Sequence, residues 1–350
     1  MRTEHELRVG DASAMDAVPD ESVDLVVTSP PYPMIELWDD LFEDGDDEVA
    51  RALDDGDADA AFESMHRQLD PVWDEVVRVL ADGGIACVNV GDATRSVDGE
   101  FRLFPNHVRV TDALRERGLS SLPDVLWRKP TNSLTKFMGS GTLPTNAYVT
   151  LEHEYVLVFR KGGTRSFPPG DEDRYESAFF WEERNRWFSD LWEFTGEGQT
   201  DVATAARERS AAFPLELPLR LVRMFSTYGD TVLDPFAGTG TTLLAAMHGG
   251  RDAVGYELDG DLVDAFDDRL ADLPARSRRR TRERLDRHRE FVAARDDRPD
   301  YEATHYGFPV VTRQERHVRL YAVEDVTAER LGGPDADDAG RRYVLEHAPV

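Results

Sequence analysis

Short apolar runs alternate along this chain with longer amphipathic stretches, the pattern of strands and helices in a parallel α/β sheet. "LRVGD" (7 to 11) reads as a short strand ending in Gly-Asp. "VDLVVTS" (23 to 29) reads as a second, "IACVNVGD" (85 to 92) as a third, "SLPDVLWRK" (121 to 129) as a fourth and "HEYVLVFRK" (153 to 161) as a fifth. Asp70-Pro71, followed by Asp74 and Glu75, has the form of an N-cap with proline in the first helical position. It predicts a helix that buries Val72, Trp73, Val76, Val77 and Leu80 and closes at "ADGG". The helical stretch "LELPLRLVRMFS" (215 to 226) leads into "GDTVLDPFAGTGTTLLAAMHGGRDAVGYELDGD", read as strand, glycine loop, helix, strand and acidic turn. Two regions break the pattern. Eleven acids and one arginine stand between Asp39 and Asp59, which reads as a solvated excursion and not a core element. From Gly162 to about Ala212 the periodicity fails among aromatics and arginines.

Composition narrows the class. A length of 350 residues suggests roughly two domains, or one large α/β domain with additions. The lone Cys87 lies in an apolar run, so it reads as a small buried hydrophobe, and disulfides or cysteine metal sites within the chain are excluded. No apolar run is long enough to span a bilayer, and "MRTEHELRVGD" has no signal-peptide core, so a soluble, cytoplasmic protein is expected. The net charge is −28, and only Lys129, Lys136 and Lys161 among 41 basic residues are lysines. This balance resembles proteins of halophiles that accumulate salt. Acidity usually argues against nucleic acid as a partner, but at about 1 M salt the Debye length is only about 3 Å and long-range repulsion is largely gone. Counterion release weakens as well, so DNA contact there must lean on close base and shape contacts.

Two motifs carry chemistry. In "VVTSPPYP" (26 to 33) two prolines follow a strand, forcing Ser29 to Tyr32 out as a stiff, extended loop that holds a hydroxyl, a carbonyl and a ring beyond the strand end. In "VLDPFAGTGTT" glycines 238 and 240 stand between a strand and a helix start, where a ligand can approach the backbone and the helix's first donors. A phosphate-cradling loop would need a lysine where Thr241-Thr242 stand, and a dinucleotide fingerprint would need glycine at Leu243. The next strand ends in Glu257, placed to accept from both hydroxyls of a ribose. A tight strand-helix turn with a surface glutamate is the plainer alternative.

Together, Asp234-Pro235-Phe236-Ala237-Gly238-Thr239-Gly240 and Thr28-Ser29-Pro30-Pro31-Tyr32, in this order, resemble the β class of exocyclic-amino DNA methyltransferases over roughly residues 7 to 270. The resemblance implies a circularly permuted, seven-stranded, Rossmann-like α/β fold using S-adenosylmethionine, with an inserted recognition segment and a small C-terminal addition. It divides the chain into a catalytic half (1–162, with the acidic excursion 36–61), a target-recognition segment (163–209), a cofactor half (210–274) and an Arg-rich helix with C-terminal addition (275–350). By its strand order the chain starts at the fold's third strand, so that Asp11 faces the cofactor adenine; an ordinary turn residue is the competing reading. Asp234, Pro235, Phe236, Gly238, Gly240, Thr241 and Glu257 would form the cofactor loop, with Phe213 packing against it. Ser210 departs from the family's usual histidine.

The same resemblance implies a flipped base whose exocyclic amine meets Ser29 and the Pro30 carbonyl, with Pro31 stiffening the loop and Tyr32 stacked on the base. A serine in the first position is associated with cytosine N4, whereas Asp and Asn favour adenine N6 or a mixture. Trp127 and Lys129 match the family's "W-x-K", and Lys129, Lys136 and Lys161 all fall near the expected DNA cleft; a core tryptophan is the alternative for Trp127. The run 275 to 298, ten arginines against five acids, reads as an exposed helix with i,i+4 pairs or as a DNA-backbone arm around Arg278-Arg279-Arg280. Double-stranded DNA is the expected partner and no metal is called for. Related archaeal chains include modification methylases for CTAG, which adds a cognate restriction endonuclease as a candidate partner. An adenine enzyme, or a protein that binds without catalysing, are the competing functions.

Overall fold

Strands buried on both faces need apolar residues at consecutive positions, and Leu25, Val26 and Val27 supply them: Val26 packs into one core, Leu25 and Val27 into the other. The computed structural model describes residues 1–129, 139–194, 213–297, 299–332 and 339–350. Among these, eleven strands form one sheet. Its ordered path runs Tyr321–Leu331, Gly340–Pro349, Arg2–Val9, Asp252–Glu257, Thr231–Asp234, Val23–Thr28, Leu80–Val90, His153–Arg160, Val125–Arg128 and Leu191–Glu193. The middle, from Arg2–Val9 to Leu80–Val90, is parallel throughout; His153–Arg160 runs against it. Helices Glu216–Phe225 and Thr241–Gly249 cover one face. Ala58–Val79 and Asn106–Glu116 cover the other. Cys87 is fully buried in the core, as its sequence context suggested.

Several sequence expectations are corrected. "LRVGD" is the end of a longer strand, Arg2–Val9. Asp70-Pro71 starts no helix: one helix runs from Ala58 to Val79, capped by Asp57 accepting from the Ala60 N–H at 3.1 Å, and Pro71 sits on its solvent face. There the break in the helix's hydrogen-bond ladder faces solvent and not the core. The acidic stretch does reach the core. It folds as Asp39–Gly45 and Asp47–Asp54, which bury Phe42, Val49 and Ala52 and turn Asp40, Asp44, Asp47 and Asp54 outward. The acids mark the outer face of short amphipathic helices. "SLPDVLWRK" splits into Ser120–Ser121 and Val125–Arg128, and a hairpin, Ala93–Val97 with Glu100–Phe104, was not anticipated. The C-terminal addition is no separate appendage, since Gly340–Pro349 pairs directly with Arg2–Val9.

The Arg-rich run is a helix, Leu273–Ala293, with Arg279–Glu283 at i,i+4 and Arg278 exposed. Its inner face holds the described part of the 163–209 segment. Arg284 grips Glu183 in a buried bidentate pair at 2.6 and 2.7 Å, and Phe180 stacks on His288 at 4.0 Å.

One seam of the sheet is acid-sensitive. The Thr3 hydroxyl lies 2.9 Å from the Nε2 atoms of both His5 and His347, joining Arg2–Val9 to Gly340–Pro349. Burial pushes His5 down to about 3 and His347 down to about 4, so both rings are neutral in the folded protein. A histidine depressed on folding stabilises fully above its unfolded value, about 6.5, and that stability is lost as pH falls through the folded value. The melting temperature is therefore expected to fall between pH 6.5 and 4, and His347→Gln to fall less. A flat profile in the wild type would remove these rings as the cause.

Candidate active site

Ligands of open α/β sheets bind beyond the carboxyl ends of the strands. Here the ends of Val23–Thr28 and Thr231–Asp234 open into a partly open cleft walled by Ser29, Pro30, Tyr32, Phe213, Phe236 and Gly238, among others. The two loops are bolted together beneath it. The Thr28 hydroxyl donates to Asp234 Oδ1 at 2.6 Å, and Thr242 Oγ1 donates to the Val27 carbonyl at 3.2 Å. Asp234 also accepts from the Phe236 N–H at 3.1 Å. Burial raises its carboxyl to about 6. Asp234 thus sets the distance between the two motifs.

The glycine loop has the geometry its sequence requires. Gly238 and Gly240 take φ values of +52° and +73°, which L side chains rarely adopt. A Cβ on Gly238 would meet nothing within 4 Å, so its backbone is open to a ligand, whereas one on Gly240 would strike the Phe266 ring. Pro235 is buried at the strand exit, and Thr241 opens the following helix. Arg269 donates to the Thr239 carbonyl and, at 3.2 Å, to the Thr239 and Thr241 hydroxyls. Glu257 reaches back to the loop. It accepts from the Gly238 N–H at 2.7 Å and the Asp259 N–H at 2.9 Å, and burial raises its carboxyl above the ordinary range.

The proline loop carries a polar chain. Ser29 Oγ lies 2.8 Å from the Tyr32 hydroxyl. That hydroxyl accepts from Asn89 Nδ2 at 2.9 Å and faces Glu154 Oε2 at 3.3 Å. Asn89 also donates to Glu154 at 2.6 Å, and Lys129 pairs with the other Glu154 oxygen. The Tyr32 phenol is kept protonated, its value driven well up by burial and by Glu154. Pro30 and Pro31 are buried, and the Asn106 amide pins the Pro33 carbonyl at 3.1 Å and the Gly91 carbonyl at 3.0 Å.

The structure brings Ser29, Pro30, Tyr32, Phe213, Asp234, Phe236, Gly238 and Thr241 to one cleft. Asp11 is exposed outside its lining, accepting from the Ser13 N–H at 2.8 Å, next to Gly10, whose N–H donates to the Glu257 carbonyl. Two DNA-contact expectations are corrected. Trp127 is a core residue, 3% exposed, its indole N–H donating to the Phe194 carbonyl at 3.1 Å. Lys161 lies at the opposite end of the sheet because its strand runs antiparallel. It caps the Ala58–Val79 helix through the Val77 and Leu80 carbonyls at 2.9 and 2.7 Å. Lys129 does stand near the site, over the Trp127 ring and against Glu154. Lys136 lies outside the described residues. Glu154, Asn89 and Trp38 were missed. A lone acid entering an apolar strand and an amide inside "VNV" were the available signals; Trp38 was hidden by the acids around it.

A hydroxyl-bearing proline loop facing a glycine loop at the ends of adjacent parallel strands defines an α/β group-transfer enzyme with a nucleoside-type cofactor site. The profile of the N6/N4 DNA methylase family matches residues 23–268, and the chain belongs to that family. It is 47% identical over 325 residues to the type II methyltransferase M.MthZI of Methanothermobacter thermautotrophicus, covering 92% of this chain and 91% of that protein. It is 50% identical over 283 residues to M.MjaI of Methanocaldococcus jannaschii, covering 77% and 91%. Among solved structures, a Thermus thermophilus protein assigned as a DNA modification methylase, in complex with S-adenosyl-L-methionine, is 36% identical with a TM-score of 0.59, over 76% of this chain and 93% of that one.

Proposed function

We propose that this DNA methyltransferase transfers the methyl group of S-adenosylmethionine to the exocyclic N4 amine of cytosine at a specific site in duplex DNA. The observation that carries the reading is the Ser29 hydroxyl, fixed at the mouth of the cleft that the glycine loop lines. The residues present suit the cofactor. Gly238 leaves its backbone open, Phe213 and Phe236 offer apolar walls, and Glu257 stands at the second strand end to take ribose hydroxyls. Once bound, the cofactor supplies an electrophilic sulfonium methyl. The strand order, with Arg2–Val9 beside Asp252–Glu257 and that beside Thr231–Asp234, supports a circularly permuted reading.

An aromatic amine is a poor nucleophile because its lone pair is delocalised into the ring. Ser29 Oγ and the Pro30 carbonyl accept hydrogen bonds from its two N–H groups, which localises the lone pair and aims it at the methyl group; the amine proton that the methyl group displaces is released to water, so catalysis is positioning and electrostatics. The polar chain behind Ser29 sets its polarity. With the Tyr32 proton directed to the Glu154 carboxylate, the Tyr32 oxygen takes hydrogens from Asn89 and Ser29, and the Ser29 oxygen then presents lone pairs to the base. The base reaches this loop by leaving the duplex. Its other recognition is assigned to Lys129 and to the 163–209 segment, whose described part is anchored on the Leu273–Ala293 helix.

The test is nucleoside analysis and modification-sensitive sequencing of DNA from a host expressing the chain. N4-methylcytosine at one short motif is expected; N6-methyladenine would replace the cytosine assignment, and unmodified DNA would refute catalysis. We also propose a high-salt working environment, supported by the −28 charge and the outward-facing acids of residues 39–59. Methylation is expected to rise with salt toward about 1 M, because screening removes repulsion that at 0.01 M extends about 30 Å. A maximum in dilute buffer with decline above about 0.2 M, as for an ordinary phosphate-binding protein, would refute the salt adaptation alone.

A further inference from the structure

On the far side of the glycine-loop helix, where the cofactor half, the 163–194 segment and the C-terminal addition meet, a small cavity is lined by Arg223, Arg251, Arg284, His248 and Ser177, among others. Among the described residues, only one of its guanidinium groups meets a carboxylate. Arg284 pairs with Glu183. Arg251, 2% exposed, spends its donors on neutral oxygens: the Ser226 hydroxyl at 2.9 Å, the Ser226 carbonyl at 2.6 Å and the Gly249 carbonyl. Arg223 is half-buried and makes no hydrogen bond or ion pair among the described residues, and loss of solvent together with the neighbouring Arg284 brings its guanidinium down to about 9. His248 is 7% exposed, its Nδ1 has no hydrogen-bond partner among the described residues, and burial beside Arg280 and Arg223 keeps the ring neutral. The Ser177 hydroxyl accepts from the Tyr228 N–H at 2.7 Å and keeps its own hydrogen to give.

A buried charge without a counter-charge costs several kcal/mol, and water satisfies donors without cancelling charge. This wall offers donors from an arginine, a buried imidazole and a hydroxyl, and of its three guanidinium groups one, Arg284, has a carboxylate at ion-pair distance. We propose that the cavity binds one small inorganic anion of chloride size. The space suits a single such ion and is too small for a phosphate ester. Because its walls come from three parts of the chain, the ion would bolt the insertion and the C-terminal addition to the cofactor half.

Thermal unfolding of the full chain in sodium chloride and in sodium gluconate, at equal sodium concentration, tests this. A melting temperature lower by about 1–2 °C in gluconate is expected, as for loss of about 1 kcal/mol in a chain of 350 residues. The difference should vanish in Arg223→Met. Equal stability of the wild type in both salts would overturn the proposal, as would an undiminished chloride effect in Arg223→Met. Sodium sulfate protecting as well as chloride would overturn a chloride-sized site, since sulfate is as large as phosphate. Should the variant fail to fold, crystals of the wild type grown in sodium bromide decide the matter. An anomalous peak within hydrogen-bond distance of Arg223 supports the site, and none there overturns it.

Discussion

Ser29→Ala is expected to slow methyl transfer about 10²–10³-fold, the range for losing one preorganised hydrogen-bonding group at a reacting centre. The dissociation constant for S-adenosylmethionine should stay within about twofold, because the hydroxyl acts on the amine and not on the cofactor. Tyr32→Phe separates the polar chain from the ring. It keeps the aromatic wall of the cleft and removes only the hydroxyl that lies 2.8 Å from Ser29 and faces Glu154. If that hydroxyl holds Ser29 as an acceptor, kcat falls about 10-fold or more with the KM for DNA little changed. The double variant should then be no slower than Ser29→Ala alone, since the two groups act as one unit. Additive losses would mean that the Tyr32 hydroxyl acts independently of Ser29. A Ser29→Ala enzyme keeping more than half the wild-type rate would remove the hydroxyl from the chemistry.

How much of this site was legible in the sequence depends on whether a residue's role is local. The proline loop and the glycine loop announce themselves because Pro30, Pro31, Gly238 and Gly240 constrain their own backbone, wherever the rest of the chain goes. The parallel strands were legible too, as short runs of consecutive apolar residues such as Leu25-Val26-Val27. Asp234 was placed in the cofactor loop, yet its main partner is Thr28, 206 residues away, a pairing that only the closed sheet creates. Glu154 and Asn89 are likewise brought to Tyr32 by the pairing of His153–Arg160 with Leu80–Val90. Lys161 was misplaced because its strand direction was not known, and direction decides which end of the sheet a strand terminus reaches. The acidic stretch was misread for a different reason. Eleven acids dominate its composition, but one apolar residue per turn, such as Phe42 or Val49, is enough to fix a short helix against a core.

The glycine loop allows a sharper test, because its two positive-φ glycines fail in different ways when a methyl group is added. At Gly240, φ is +73°, and a Cβ would lie 2.4 Å from both Cδ2 and Cε2 of Phe266. Phe266 cannot yield easily: it is fully buried and packs edge-on against Tyr343, their ring centroids 5.4 Å apart. Left-handed backbone costs an alanine about 1–2 kcal/mol, and overpacking adds about 1–3 kcal/mol, so in a chain of 350 residues Gly240→Ala is expected to lower the melting temperature by roughly 3–7 °C. At Gly238, φ is +52°, but nothing lies within 4 Å of the new methyl, so only the backbone term applies to stability. That methyl instead enters the cleft where the cofactor's close approach is proposed. Gly238→Ala is therefore expected to keep most of its thermal stability while losing at least about 10-fold in cofactor affinity, about 1.4 kcal/mol. Calorimetric titration and thermal unfolding of the two variants give four numbers whose pattern is fixed in advance. Equal loss of stability in both would mean that Phe266 relaxes freely, and unchanged cofactor affinity in Gly238→Ala would move the cofactor away from this loop.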